Sequence, residues 1–178
     1  MKYLSIKRTI LLFCFLVLCT SCAPQSINVS QPTVELEPTP TTLPSTVNEA
    51  QGVLIRFFDL LNAKQCAEAD ALYGGDYEQL KVFSADVDPS DHVKLWSNAC
   101  DLAGLQCLKV RTATFKKLQG DTYIFQVEFS NPDGSRFVLG PCCGSNATEM
   151  PPVSQFEYKV ARTSNGKFVV MDLPPYVP

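Results

Sequence analysis

The chain has 178 residues, 46% of them hydrophobic and 19% charged, with 15 Lys+Arg against 18 Asp+Glu and a formal net charge of −3. This is the composition of a globular protein and not of a disordered or collagen-like one. The absence of a basic cluster excludes nucleic-acid binding, which depends on Lys and Arg neutralising phosphates, and no internal repeat is present.

The amino terminus reads MKYLSIKRTILLFCFLVLCTSCAPQS. Lys2, Lys7 and Arg8 precede an uncharged apolar run from Ile10 to Cys19. A membrane-spanning helix needs about 20 apolar residues, so the shorter run predicts a targeting segment that is removed on export. Thr20 and Ser21 are small, and Cys22 follows them.

These residues resemble a bacterial lipoprotein signal, with Thr20 and Ser21 at −2 and −1 and Cys22 at +1. Cys19 stands where that family usually has Leu, and Leu18 lies one place early. The resemblance implies a signal peptide over 1–21, acylation of Cys22 (a palmitate-type lipid anchor), and a home on the extracytoplasmic side of a bacterial envelope membrane. Ala23 follows the lipid site, where inner-membrane retention signals carry Asp. The alternative is plain secretion with cleavage near Ala23. Removal of the signal takes Lys2, Lys7 and Arg8 with it and leaves 12 cations to 18 acids, a formal −6.

Residues 22–45 form the expected linker. Prolines at 24, 32, 38, 40 and 44 alternate with Ser and Thr, which describes a solvated tether. In polyproline-like form, at about 3.1 Å per residue, it reaches roughly 70 Å. The remainder, 46–178, is long enough for one hydrophobic core and not two.

Within that domain Thr46 and Glu49 have the spacing of a capping box, and Val47, Ala50, Leu54, Phe57, Phe58 and Leu61 make a helical stripe. A second helix is expected over about Lys64–Tyr73, with Ala67, Ala71 and Leu72 inward and Gly74-Gly75 ending it. Leu80–Phe83 reads as a short strand. Asp88-Pro89 reads as an N-cap with Pro at the first helical position, opening a third helix through Cys100. Alternation then predicts strands at Leu105–Lys117 and Thr122–Ser130, the latter with Tyr123, Phe125, Val127 and Phe129 on one face. Asn131-Pro132-Asp133-Gly134 is a turn leading to a partner strand at Arg136–Leu139. A further strand carries Phe156, Tyr158 and Val160, and an Asn165-Gly166 hairpin leads to a last strand at Lys167–Asp172. Helices first and antiparallel strands afterwards make the fold class α+β.

A leading helix of the type VLIRFFDLLNAKQCAEADALYG, a further helix and four antiparallel strands are similar to the NTF2-like (SnoaL-like, cystatin-like cone) superfamily. That resemblance implies a curved sheet wrapped around helix one with a conical pocket. Its members include enzymes, ligand carriers and association domains, so the fold does not choose a function.

His92 is the one histidine. The resemblance suggests pairing it with Asp59 or Glu128, while its place beside Asp91 at a helix start suggests a solvated cap residue. A single His argues against most zinc sites, and no cofactor motif is present. Asp86, Asp88 and Asp91 lack the Gly and Glu of a calcium loop. Phe57, Trp96, Tyr123, Phe125 and Tyr158 are candidates for lining the cone pocket, with plain core as the other reading.

Five cysteines belong to the domain: Cys66, Cys100, Cys107, Cys142 and Cys143. In an exported protein they predict disulfides with one thiol left over. One arrangement has Cys100 or Cys107 in a local bridge and Cys66 joined to one of the vicinal pair. Another clamps the 142/143 loop onto the Cys100–Cys107 corner, and in both the vicinal pair acts as a staple. A strained bond between the two neighbours and metal binding with a third thiol are the remaining readings.

Two functions follow as expectations. One is a non-enzymatic, membrane-tethered module that binds a small apolar ligand or an envelope protein, with a homodimer surface on the polar sheet face of Arg111, Gln126, Glu128 and Lys159. The other is a SnoaL-like hydrolase or isomerase using Asp59, His92, Glu128 or Tyr158, which requires one of them in an open cavity.

Overall fold

A computed structural model describes residues 44–178 of the chain. The signal-like segment, Cys22 and nearly all of the linker lie outside the described residues. The described part is α+β: four helices precede an open, four-stranded antiparallel sheet in the order β1-β2-β3-β4.

Helix α1 (Ser45–Asn62) buries Val47, Ala50, Leu54, Phe57, Phe58 and Leu61 as the stripe requires, with Leu60 added. The capping box does not form. Pro44 is the N-cap residue and no side chain caps the helix. Instead the Pro44 carbonyl accepts from the Val47 and Asn48 amides, and Thr46 falls inside the first turn. Lys64, at φ +59°, turns the chain out of this helix.

Helix α2 (Cys66–Asp70) is shorter than expected and its inward face is different. Cys66 and Ala69 are buried, whereas Ala67 and Ala71 are exposed and Leu72 is half-buried. The helix stops because the following segment joins the sheet edge, where Tyr73 bridges Val170 in parallel and the Gly74 amide donates to the Val170 carbonyl at 2.8 Å. Glycine is required at this junction. A Cβ on Gly74 would overlap Val169, and one on Gly75 would overlap the Tyr73 hydroxyl and the Met171 carbonyl.

The expected strand at Leu80–Phe83 is helix α3 (Glu78–Phe83). Four residues, three of them apolar, cannot separate the two periods, and the Asp76 carboxylate supports the helix start by accepting from the Glu78 amide at 3.1 Å. Helix α4 (His92–Asp101) begins three residues after Pro89. Asp91, not Asp88, accepts from the Lys94 amide at 3.0 Å. Asp88 is occupied by its own turn with the Ser90 amide and hydroxyl, and these bonds hold its carboxyl below the usual range.

Strand β1 (Lys109–Gln119) starts later than the alternation suggested. Leu105 and Gln106 are drawn into pairing with the carboxy-terminal segment, the Gln106 amide donating to Pro175 at 2.7 Å. Strand β2 (Thr122–Ser130) matches its expected bounds, with Tyr123, Phe125, Val127 and Phe129 all buried. Arg136–Leu139 does not become a strand. It keeps only two isolated bridges, Ser130 with Arg136 and Leu139 with Val153. The reason is competition: strand β3 (Phe156–Arg162) pairs with β2 from Thr122 through Val127 and leaves only the strand's end free. The Thr163–Gly166 turn forms as expected, with Gly166 at φ +84°. Strand β4 is reduced to Phe168–Val170.

Helix α1 packs against all four strands. The β1–β2 register breaks between Val110 and Thr112 and again between Phe115 and Lys117, and such irregularities bend and twist a sheet locally. Phe115, Phe125 and Tyr158 fall in one row across three strands, facing the helices. The sheet's other face is polar.

Candidate functional site

All five proposed pocket residues are core. Phe57, Trp96 and Phe125 are 0% exposed, Tyr158 2% and Tyr123 7%. The Phe57 ring meets Trp96 edge-on at 5.6 Å and Tyr73 at 6.0 Å, and Phe58 fills the space between Phe129 at 4.8 Å and Tyr158 at 5.0 Å. These separations are contact distances for aromatic pairs. The interior that the cone resemblance offers to a ligand is occupied here by α1's own phenylalanines.

The acid–base candidates do not converge. Asp59 is exposed on the outer side of α1. Glu128 is on the polar sheet face, where Gln155 donates to its Oε1 at 3.1 Å and Arg136 pairs with it at 3.4 Å. Tyr158 is in the core and donates to the Leu173 carbonyl at 3.2 Å, with burial holding its phenol well above the ordinary range.

His92 finds a carboxylate other than the two expected. Its Nδ1 is 3.7 Å from Asp70 Oδ2, too long for a hydrogen bond, and its ring stacks on Tyr77 at 3.7 Å. Asp70 is the hub of this cluster. Its Oδ1 accepts from the Tyr77 hydroxyl at 2.6 Å and from the Trp96 indole at 3.1 Å. Burial, followed by the hydrogen bond to Asp70, pushes the Tyr77 phenol up. The carboxylate thereby ties α2, the entry to α3 and α4 together, and its role is to knot three short helices. Sequence reasoning missed Asp70 because its partners are 7 and 26 residues away and share no local period with it.

The surface offers shallower features. A groove of about 590 Å³ runs beside α1, with Arg56, Asp59, Asn62 and Lys109 in its lining. A second of about 440 Å³ shares Asn62 and Lys109 and extends to the Asn131–Gly134 turn. The polar sheet face is cross-linked by its own side chains. Lys116 donates to Gln126 at 3.2 Å, and Gln126 to Gln155 at 2.9 Å. Lys159 pairs with Asp172 at 3.5 Å, and Arg111 donates to the Gly134 carbonyl at 2.9 Å.

The cysteines divide differently from the expected staple. Cys100 and Cys107, seven residues apart, are bonded to each other with Cα atoms 5.6 Å apart. Cys66 is free and faces the core, where burial and the neighbouring Asp101 push its thiol up. Cys142 and Cys143 are also free, with sulfurs 2.9 Å apart. Among the described residues the vicinal pair therefore staples nothing, because Cys100 and Cys107 satisfy each other and Cys66 points inward.

Among the described residues no three His, Cys, Asp or Glu side chains gather into a metal-binding group, and no helix is long and apolar enough to cross a membrane. No family model matches the chain, and no curated protein matches it.

Proposed function

We propose that this protein is a lipid-anchored, extracytoplasmic lipoprotein whose domain is an NTF2-like association module that works through its surface. The anchor rests on the resemblance of residues 1–22 to a lipoprotein signal, and the Pro-, Ser- and Thr-rich linker supplies distance from the bilayer. The fold reading is supported by α1 contacting all four strands and by two register breaks between β1 and β2, irregularities of the kind that curve a sheet.

The observation that carries the choice of function is the filled interior. A carrier of apolar ligands needs an apolar cavity of several hundred Å³, and the five residues that would line it are all buried in the hydrophobic core. The burial of these five residues in the core favours an envelope protein, or a second copy of the chain, over a small apolar ligand. The hydrolase or isomerase alternative draws no support, because its candidate acids and bases sit in separate surroundings and His92 lacks a carboxylate at hydrogen-bond distance.

The experiment is labelling of bacteria expressing the full chain with an alkyne-bearing fatty acid, beside the Cys22→Ser variant. The label is expected on the natural chain and absent from the variant, which should leave the membrane fraction. Photo-crosslinkers at Arg56 or Gln126 should then trap adducts of defined mass in intact cells. A label that survives Cys22→Ser sinks the anchor. An apolar compound that stays with the purified protein in native mass spectrometry sinks the association reading.

A further inference from the structure

We propose that the Gly140–Pro152 loop binds one soft monovalent metal ion, copper(I), through the thiolates of Cys142 and Cys143 and the thioether of Met150. The Met150 sulfur lies 4.0 Å from the Cys142 sulfur, and Cys143 is 2.9 Å from it on the same turn. The third donor is a thioether.

The donor set selects the metal. Thiolate and thioether ligands favour copper(I), while zinc takes four ligands drawn from Cys, His and carboxylates. Glu149, the nearest carboxylate in sequence, already accepts from the Asn146 amide at 3.2 Å.

The loop is built to bring Met150 back. Leu139 and Val153 exchange hydrogen bonds of 2.7 and 2.9 Å across its base. Cys143 and Gly144 both adopt positive φ, 60° and 89°, and the Ser145 amide donates to the Cys142 carbonyl at 2.9 Å, which reverses the chain directly after the thiols. Asn146 then accepts from the Thr148 and Glu149 amides through its side chain and from the Met150 amide through its carbonyl. Met150 is 38% exposed, so core packing does not account for its return to the thiols.

The distances suit the ion. Metal–thiolate bonds of about 2.3 Å in a trigonal array place the sulfurs about 4.0 Å apart. The Cys142–Met150 separation already has that value, and the Cys142–Cys143 separation must open by about 1 Å, which rotation about χ1 of the exposed Cys143 supplies. Both thiols give up their protons and one copper(I) enters, so two protons are released and the complex carries one net negative charge.

The test uses the full chain in detergent with Cys14→Ser, Cys19→Ser and Cys22→Ser, which removes the other accessible thiols and makes the result independent of the anchor. After mild reduction under anaerobic conditions, copper(I) is titrated against a chromophoric competitor. One ion per chain is expected, with two protons released in weak buffer. Cys142→Ser with Cys143→Ser should abolish uptake while leaving the circular dichroism spectrum intact. Met150→Leu should keep the stoichiometry and weaken affinity by about tenfold or more, since even outer-shell partners of a metal are worth about 10–100-fold. Failure to compete for copper(I), uptake that survives the double substitution, or an unchanged affinity in Met150→Leu each overturns the proposal. So does a Cys142–Cys143 disulfide that resists mild reduction.

Discussion

Phe57→Ala tests whether the interior is filled or open. Phe57 is 0% exposed and is contacted by the rings of Phe58, Tyr73 and Trp96. A buried Phe removes about 150–250 Å² from water, and at about 25 cal/mol per Å² its reduction to Ala forfeits about 3 kcal/mol. Phe58 is fixed on α1 itself, Tyr73 at the sheet edge and Trp96 on α4, so the rings cannot collapse into the gap, and the residual cavity brings the expected cost to about 3–5 kcal/mol. Trp96 is the chain's one tryptophan and touches the vacated space, so urea unfolding followed by its fluorescence reads the site directly. An apolar cavity of this kind stays dry and accepts benzene. Benzene at ten times its dissociation constant should restore about 1.4 kcal/mol to the variant and leave the natural protein unmoved. A loss under about 1 kcal/mol, or stabilisation of the natural protein by benzene, would refute the filled interior.

Asp70→Ala strands the Tyr77 hydroxyl and the buried Trp96 indole and should cost about 2–3 kcal/mol; Asp70→Asn, which keeps an acceptor, should cost less, and equal costs in urea unfolding would remove Asp70 from the centre of the helix knot. Tyr73, Tyr77 and Tyr158 all have raised phenols, each chiefly through burial. The folded protein holds these protons to higher pH than the unfolded chain, whose tyrosines titrate near about 10, so stability is complete below that pH and is lost as pH rises through the folded values. Tyr158 alone contributes a slope of about 1.4 kcal/mol per pH unit in that window, and Tyr158→Phe should remove it in unfolding curves collected above pH 10. Replacing Cys100 and Cys107 together with Ala frees a loop of seven residues. The chain-entropy relation puts the loss at about 2.4 kcal/mol, and an unchanged urea midpoint would mean that the corner is held by its backbone pairing alone.

Much of the architecture follows from local pattern. The α1 stripe and strand β2 came out residue by residue because each is long enough for one period to dominate, 3.6 in the helix and 2 in the strand. The two glycine turns came out because a positive φ is a property of the residue itself. What failed was short or contested. Leu80–Phe83 is too brief to show a period. Thr46 and Asp88 are competent caps that lost to Pro44 and Asp91, and Arg136–Leu139 is a good strand sequence whose place on β2 is taken by β3.

The sequence by itself determined the export-type amino terminus as an expectation, the α+β order and the apolar faces, because these depend on residues close together in the chain. Tertiary structure alone decided that α1's phenylalanines fill the interior between helices and sheet and that Asp70 meets Tyr77 and Trp96. It likewise decided that Cys100 bonds to Cys107 and leaves the loop thiols beside Met150. Each of these is a contact between segments whose meeting depends on how helices and sheet pack, and packing leaves no periodic trace in the chain.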